Sequence, residues 1–60
     1  MDTKLKKARE KRGFTQAEVA KKAKVSVMSY QRYEAGKREP TVTTAKLIAK
    51  VLNSRIEELF

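Results

Sequence analysis

The side chains best suited to specific hydrogen bonding lie in residues 27–34, a short segment whose spacing predicts a helix. Gln31 ends in an amide and Arg32 in a guanidinium, and each can make paired hydrogen bonds to a planar partner. Val27 and Met28 fall on the same face of that helix. Because an ordinary solvated face would carry Lys and Glu, this mixture of apolar and hydrogen-bonding side chains favours a surface used for binding.

The opposite face of the same segment carries two aromatic side chains, Tyr30 and Tyr33, which we expect to point inward. Ser26 is a good N-cap for the helix, and Gly36 fits the left-handed position that ends it. The tyrosines therefore anchor the helix, and its other face is left outside.

The helix before it has the strongest local signal. Thr15 and Glu18 are spaced as a capping box, and Phe14 can pack on Val19 as a hydrophobic staple. This helix is expected to run to about Lys22. The side chains that this helix is expected to bury are Val19, Ala20 and Ala23. Val25 is expected to be buried between this helix and the one at residues 27–34.

The flanking segments also have helical period. A first helix is capped by Asp2 or Thr3, ends at Gly13, and carries a thin apolar stripe of Leu5 and Ala8. Such a highly charged helix must dock on others to be stable.

A fourth helix is predicted after its N-cap Thr41, ending near Asn53, and a last turn should bury Ile56 and Leu59. Nothing in the chain alternates like a strand, so the fold is expected to be all-α, with five helical segments in one domain, residues 1–60. The inward stripe of the fourth helix comprises Val42, Ala45, Ile48, Ala49 and Leu52.

Size and composition exclude several functions. A chain of 60 residues buries only about 60% of its unfolded surface, which disfavours a deep catalytic cleft. It has no Cys and no His, which removes thiol chemistry, disulfides, the usual zinc ligand sets and the commonest general base. We therefore expect a binding domain, not an enzyme, that needs no metal or cofactor and has no evident small-molecule ligand.

The net charge of +8 favours a polyanionic partner, nucleic acid first and an anionic membrane surface second. Residues 1–24 carry nine basic and three acidic side chains, whereas residues 41–60 are nearly balanced. Excess lysine that merely keeps the domain soluble is the alternative. No apolar run approaches a membrane span and no signal segment opens the chain, so a soluble cytoplasmic protein is expected.

The order of motifs resembles the phage-repressor and Cro-like (XRE-type) helix-turn-helix family. The resemblance covers essentially the whole chain, through GFTQAEVA, KVS, YQRYEAGKREP and the Leu/Ile/Ala helix that ends near ELF. It implies a compact five-helix lambda-repressor-like DNA-binding domain with the helix-turn-helix at about residues 15–35. Lys24 stands where the family usually has Gly, so the turn must either hold a left-handed Lys or take a slightly different path, at a cost of about 1 kcal/mol.

The resemblance also implies which residues contact DNA. Arg can bind guanine O6 and N7, Gln can pair with adenine, and Val or Met can meet a thymine methyl group. The contacts expected with the phosphate backbone are made by Gln16, Lys37 and Arg38, and Gln16 is also expected to brace the third helix. The positions that face the bases are Ser26, Val27, Met28, Gln31 and Arg32.

Two further features follow from the resemblance and the pattern. Arg9 and Glu34 occupy positions that form a structural ion pair in the family. Leu47, Val51 and Phe60, if exposed together, would form a two-fold dimer interface, which suits a palindromic operator.

The function expected from the sequence is a sequence-specific, double-stranded DNA-binding transcriptional regulator, a repressor, associated with the nucleoid when bound to DNA. The alternative of another class is an antitoxin-like or other protein-interaction module, whose sign would be a large apolar patch away from the third helix. A basic amphipathic membrane binder is a third, but the lysines are spread over several helices.

Overall fold

The computed structural model describes residues 3–60, so the alternative N-cap Asp2 lies outside the described residues. Within them the chain forms five α-helices and no strand, as expected. The helices are α1 (Lys4–Arg12), α2 (Gln16–Lys22), α3 (Val27–Glu34), α4 (Val42–Val51) and α5 (Ile56–Leu59).

The helix starts are fixed by local hydrogen bonds of the kind that the sequence predicts. The Thr3 hydroxyl accepts from the backbone N–H of Lys6 at 3.2 Å, and Thr15 and Glu18 form the reciprocal capping box. Ser26 and Thr41 cap α3 and α4 in the same way. Each cap satisfies a backbone N–H that has no partner inside its own helix.

Among residues 3–60, four take the left-handed backbone conformation, each just after the end of a helix. Gly13 and Gly36 do so at φ values of 75° and 73°, which a residue without Cβ adopts freely. Lys24 in the turn between α2 and α3 and Asn53 after α4 have φ values of 61° and 51°. The turn therefore keeps the path that a glycine would take, although it carries a lysine side chain.

The core lies where the helices cross. α2 packs against α3 and α4, and α5 closes the domain by packing against α1 and α4. Small side chains of α2 and α4 let these short helices approach closely. The buried apolar residues that form one cluster are Leu5, Val19, Ala20, Ala23, Tyr30, Ile48, Ala49, Leu52 and Leu59.

The predicted inward stripe of α4 is wrong at its first residue. Val42 is 68% exposed, whereas Ala49, which lies on the same side of the helix two turns later, is buried. The neighbouring helices cover the middle of α4 but not its first turn. Val25 and Ile56 are likewise half-buried against the core, not fully buried as expected.

Replacing Lys24 by Gly should raise the free energy of unfolding by about 0.5–1 kcal/mol, because it removes the strain of a left-handed side chain. Asn53→Gly is the matched control, since asparagine tolerates this conformation and the same change there should be nearly neutral. Urea unfolding of both variants without any ligand measures the difference. Equal effects at the two positions would show that Lys24 is not strained.

Candidate nucleic-acid interface

One face of α3 is free of the core. Val27 is 41% and Met28 63% exposed, and the side chains of Gln31 and Arg32 are also exposed. Tyr30, on the inner face, is fully buried. The structure thus brings four of the five residues expected to face bases onto one open surface.

The fifth of these residues, Ser26, stands at the start of the same helix and is exposed. Its hydroxyl accepts from the backbone N–H of Ser29 at 3.1 Å and donates to the Ser29 hydroxyl at 3.0 Å. Ser26 therefore shapes the start of α3 through its cap, and its side chain already has partners on the helix.

Gln16, the first residue of α2, lies against the outer face of α3. Its Oε1 accepts from Nε2 of Gln31 at 3.2 Å, and its own Nε2 donates to Oε1 of Glu34 at 3.0 Å. The side chain is half-buried. The start of α2 and the exposed face of α3 therefore form one continuous surface.

Beneath this surface lies the ion pair between Arg9 and Glu34, both buried. Arg9 Nε donates to Glu34 Oε2 at 2.6 Å and Nη2 donates to Oε1 at 3.4 Å. Arg9 Nη1 also donates to the carbonyl oxygen of Phe14 at 2.8 Å. The pair ties α1 to the end of α3 and to the segment that enters α2.

Hydrogen bonding determines the charge state of the pair. Burial opposes ionisation of Glu34, but the hydrogen bonds from Arg9, with the nearby Tyr30 hydroxyl and the Gln16 amide, outweigh it and lower the pKa of the carboxyl group. The hydrogen bond to Glu34 raises the pKa of Arg9 against the cost of its burial. Both side chains are therefore charged at neutral pH.

The Tyr30 hydroxyl lies beside the same pair. Its burial, with the neighbouring Glu34 carboxylate, raises the pKa of Tyr30 well above its ordinary value. Within the described part of the chain, this hydroxyl has no hydrogen-bond partner of good geometry. Tyr30 therefore stays neutral and anchors α3 through its buried ring.

The guanidinium of Arg32 contacts a side chain of its own helix. Its Nη2 donates to Met28 Sδ at 3.7 Å, one helical turn earlier. Sulfur is a weak acceptor, so this contact restricts Arg32 while leaving its other donors available to a partner.

Lys37 and Arg38 follow Gly36 in the turn after α3, and both are exposed. The Lys37 backbone N–H donates to the Arg32 carbonyl at 3.0 Å, which fixes the turn to the end of the helix. Lys37 and Arg38 therefore lie in the turn that follows the C-terminal end of α3. Arg38 also lines a cavity of about 200 Å³ with Tyr33, Leu59 and Phe60. That either cation contacts phosphate stays a prediction.

An apolar groove of about 240 Å³ lies at the start of α4, away from α3. Val42, Ile56 and Phe60 line it, and Phe60 is 43% exposed. Leu47 and Val51 are half-buried and pack on the core. Val42 and Val51 are nine residues apart, so they lie on opposite sides of α4.

The resemblance implies that Gln16 braces the third helix, but sequence reasoning did not identify the hydrogen bonds that join these residues. The pattern places Gln16, Gln31 and Glu34 on helices, but residues 15 or 18 positions apart carry no local signal of contact. The sequence did carry one signal for the hydrogen bond from Arg32 to Met28. The two residues are four positions apart, a spacing that places side chains next to each other on a helix.

Two kinds of site are absent from residues 3–60. No group of three or more Asp or Glu side chains could hold a metal ion. No helix in that range is long and apolar enough to cross a membrane.

Two short helices joined by a tight turn, the second with an exposed polar and apolar face, define a helix-turn-helix protein. The comparisons with known proteins agree. The family model described as helix-turn-helix matches residues 5–59, and the chain belongs to this family, of the XRE type. It is a DNA-binding regulator of transcription and not an enzyme.

The relatives carry the same description. An uncharacterized HTH-type transcriptional regulator of Archaeoglobus fulgidus is 43% identical over 60 residues, covering the whole of this chain and 86% of that protein. A second from the same organism is 38% identical over the whole chain. The uncharacterized regulator YqaF of Bacillus subtilis is 46% identical over 48 residues, which is 80% of this chain and 63% of that protein.

Replacing Arg9 by Ala should lower the free energy of unfolding by about 3–5 kcal/mol, because it leaves the Glu34 carboxylate buried without its cation. Chemical unfolding at neutral pH measures this. Lys11→Ala, which removes an exposed cation from the same helix, is the control and should change stability little. A midpoint unchanged by Arg9→Ala would contradict the structural role of the pair.

Glu34→Gln should reveal the contribution of the Arg9–Glu34 pair through the pH dependence of the free energy of unfolding. Because folding lowers the pKa of Glu34 below its ordinary value of 4.5, the stabilisation is complete above that pH and is lost as the pH falls toward the lowered value. The stability difference between wild type and Glu34→Gln should therefore narrow below about pH 4.5. The pKa of Glu18 is also lowered, by hydrogen bonds with Thr15, but Glu18 is present in both proteins.

Proposed function

We propose that the protein is a sequence-specific repressor that binds double-stranded DNA with α3 in the major groove. The observation that carries this is the exposed face of α3, where an amide and a guanidinium stand beside two apolar side chains. The buried ring of Tyr30 and the Arg9–Glu34 pair hold that face in one orientation. Its place of action would be the cytoplasm, on the nucleoid.

The chemistry of that face matches the edges of base pairs. The fork of Arg32 suits guanine O6 and N7, and the amide of Gln31 suits adenine N6 and N7. Val27 and Met28 are exposed enough to meet thymine methyl groups. Ser26, at the start of the helix, can contact a base or the adjacent backbone.

Phosphate contacts would flank the base contacts. Lys37 and Arg38 stand in the turn after α3, and Gln16 at the start of α2 has one amide proton that Glu34 does not use. The lysines of α1 and α2 add attraction at longer range, since residues 1–24 carry most of the net charge.

Repression is the regulatory role that demands least of this domain. A protein bound at an operator excludes others from the same DNA, whereas an activator also needs a surface that engages the transcription machinery. Among the described residues, the exposed face of α3 is the surface that we propose contacts bases, and the apolar grooves are modest in size. The homodimer proposed below would use the groove at the start of α4.

Arg32→Ala should relax the preference at one base pair by about 1–3 kcal/mol and leave the preference at the others unchanged. Lys37→Ala is the contrasting variant, which should weaken binding to all sequences alike and reduce the log–log salt slope by about 0.9. Selection from a random duplex library at stated salt, followed by titration of the winning sites, measures both. If Arg32→Ala weakens specific and random DNA equally, Arg32 contacts only phosphate.

The same selection tests the proposal as a whole. A wild-type protein that enriches no motif would contradict sequence-specific binding and would favour the protein-interaction module as the alternative.

We further propose that the protein acts as a homodimer on a palindromic operator. The groove lined by Val42, Ile56 and Phe60 offers exposed apolar surface, and it lies in the part of the sequence where charges nearly balance. Two strongly cationic copies repel least there. A two-fold dimer would bring two α3 helices to successive major grooves, about 34 Å apart.

Val42→Lys should weaken self-association by about tenfold or more, because a two-fold interface would then hold two added cations. Val51→Lys is the matched variant, the same change on the opposite side of α4, next to Leu47. Sedimentation equilibrium, with unfolding curves as a check on the fold, distinguishes them. Loss of the dimer only in Val51→Lys would assign the interface to Leu47 and Val51, and a monomeric wild type would remove the proposal.

A further inference from the structure

A chain of hydrogen bonds connects the buried ion pair to the exposed face of α3. Arg9 donates to Glu34, Glu34 Oε1 accepts from Gln16 Nε2 at 3.0 Å, and Gln16 Oε1 accepts from Gln31 Nε2 at 3.2 Å. Side chains from α1, α2 and α3 thus form one path, which begins in the core and ends at a residue expected to face a base.

This path has a direction that chemistry dictates. A carboxylate has no proton and can only accept hydrogen bonds, so Gln16 must turn its NH₂ group toward Glu34. Its carbonyl oxygen is then left toward α3, and Gln31 must turn its own NH₂ group toward that oxygen. Each amide orientation is therefore determined by the group before it, starting from Glu34.

Glu34, the acceptor at the start of this path, is held in its ionised form. Arg9 donates to both carboxylate oxygens of Glu34, and these hydrogen bonds lower the pKa of that carboxyl group. Glu34 is thus ionised at neutral pH, and reversal of either amide would bring two hydrogen-bond acceptors together.

We propose that Gln16 is a specificity-determining positioning residue, which holds the Gln31 amide with its oxygen and its second N–H proton free toward the DNA groove. A free acceptor beside a free donor matches the N6 and N7 edge of adenine. A reversed Gln31 amide would set its oxygen against the Gln16 oxygen, and two acceptors form no hydrogen bond. This inference rests on the proposed function and adds to it a residue that selects a base without contacting one.

Gln16→Lys separates this role from a phosphate contact. The ammonium group can still donate to Glu34 and attract phosphate, but it has no acceptor for Gln31. The position that Gln31 reads is identified first, as the base pair whose preference collapses in Gln31→Ala. At that position the adenine preference of Gln16→Lys, measured as the ratio of affinities for sites that differ only there, should fall about tenfold. This ratio is independent of any change in a phosphate contact, which alters the affinity for all sequences alike.

A double-mutant cycle supplies the control. In the Gln31→Ala background, Gln16→Lys should cause no further loss of preference at that base pair, because the group that it orients is gone. The Lys37→Ala variant, which touches neither amide, should keep the full adenine preference. Thermal unfolding verifies that each variant is folded.

If Gln16→Lys fails to fold, Gln16→Met replaces it, since methionine has similar length and neither donates to Glu34 nor accepts well from Gln31. It should show the same loss of adenine preference together with weaker binding to all DNA. A folded variant at position 16 that keeps wild-type preference, while the wild type enriches a motif, overturns the inference and leaves the proposed function standing. A wild type that enriches no motif overturns both.

Discussion

The structure depends on one buried interaction, the ion pair between Arg9 and Glu34. An α-helix of eight residues is not stable alone, so α3 takes its position from its neighbours. The pair ties the end of α3 to α1, and the bond from Arg9 to the Phe14 carbonyl fixes the entry of α2 relative to both. A buried ion pair is often no more stabilising than an apolar pair of similar volume. What it supplies here is a polar, directional contact at which three helices meet.

Next to that contact, α3 has one face that packs in the core and one face that is exposed. Tyr30 fills the core, and its ring could not be removed without leaving a cavity that the small side chains Ala20, Ala23 and Ala49 cannot close. The other face contributes nothing to the core, as the exposure of Met28 shows. Substitution on the outer face can therefore change binding with little effect on the fold, a separation that helps so small a domain, because it has little stability to lose.

Most of the fold could be predicted from the sequence because its signals are local. Capping residues such as Thr15, and the glycines that end α1 and α3, mark helix limits within the residues that form them. Periodicity indicates which face of a helix turns inward, but not how far along the helix the neighbours reach, and Val42 was misplaced for that reason. The Arg9–Glu34 pair was predicted from the family resemblance, because no local sequence pattern indicates a contact between residues so far apart. The bonds of Gln16 join distant positions and follow from the crossing of α2 and α3, which no local pattern determines.

In the proposed complex, affinity and selectivity come from different parts of the surface. Much of the charge lies in residues 1–24, outside α3, and its attraction for DNA extends only about 8 Å at physiological salt. The base-facing set contains a single cation, Arg32, and its other members are neutral. Contacts of neutral side chains with base edges lose little to salt because they release no counterions, whereas phosphate attraction weakens steeply as salt rises. In this proposal, selectivity for an operator over random DNA depends on Arg32 and on the orientation of a few neutral groups, of which Gln31 takes its orientation from the core.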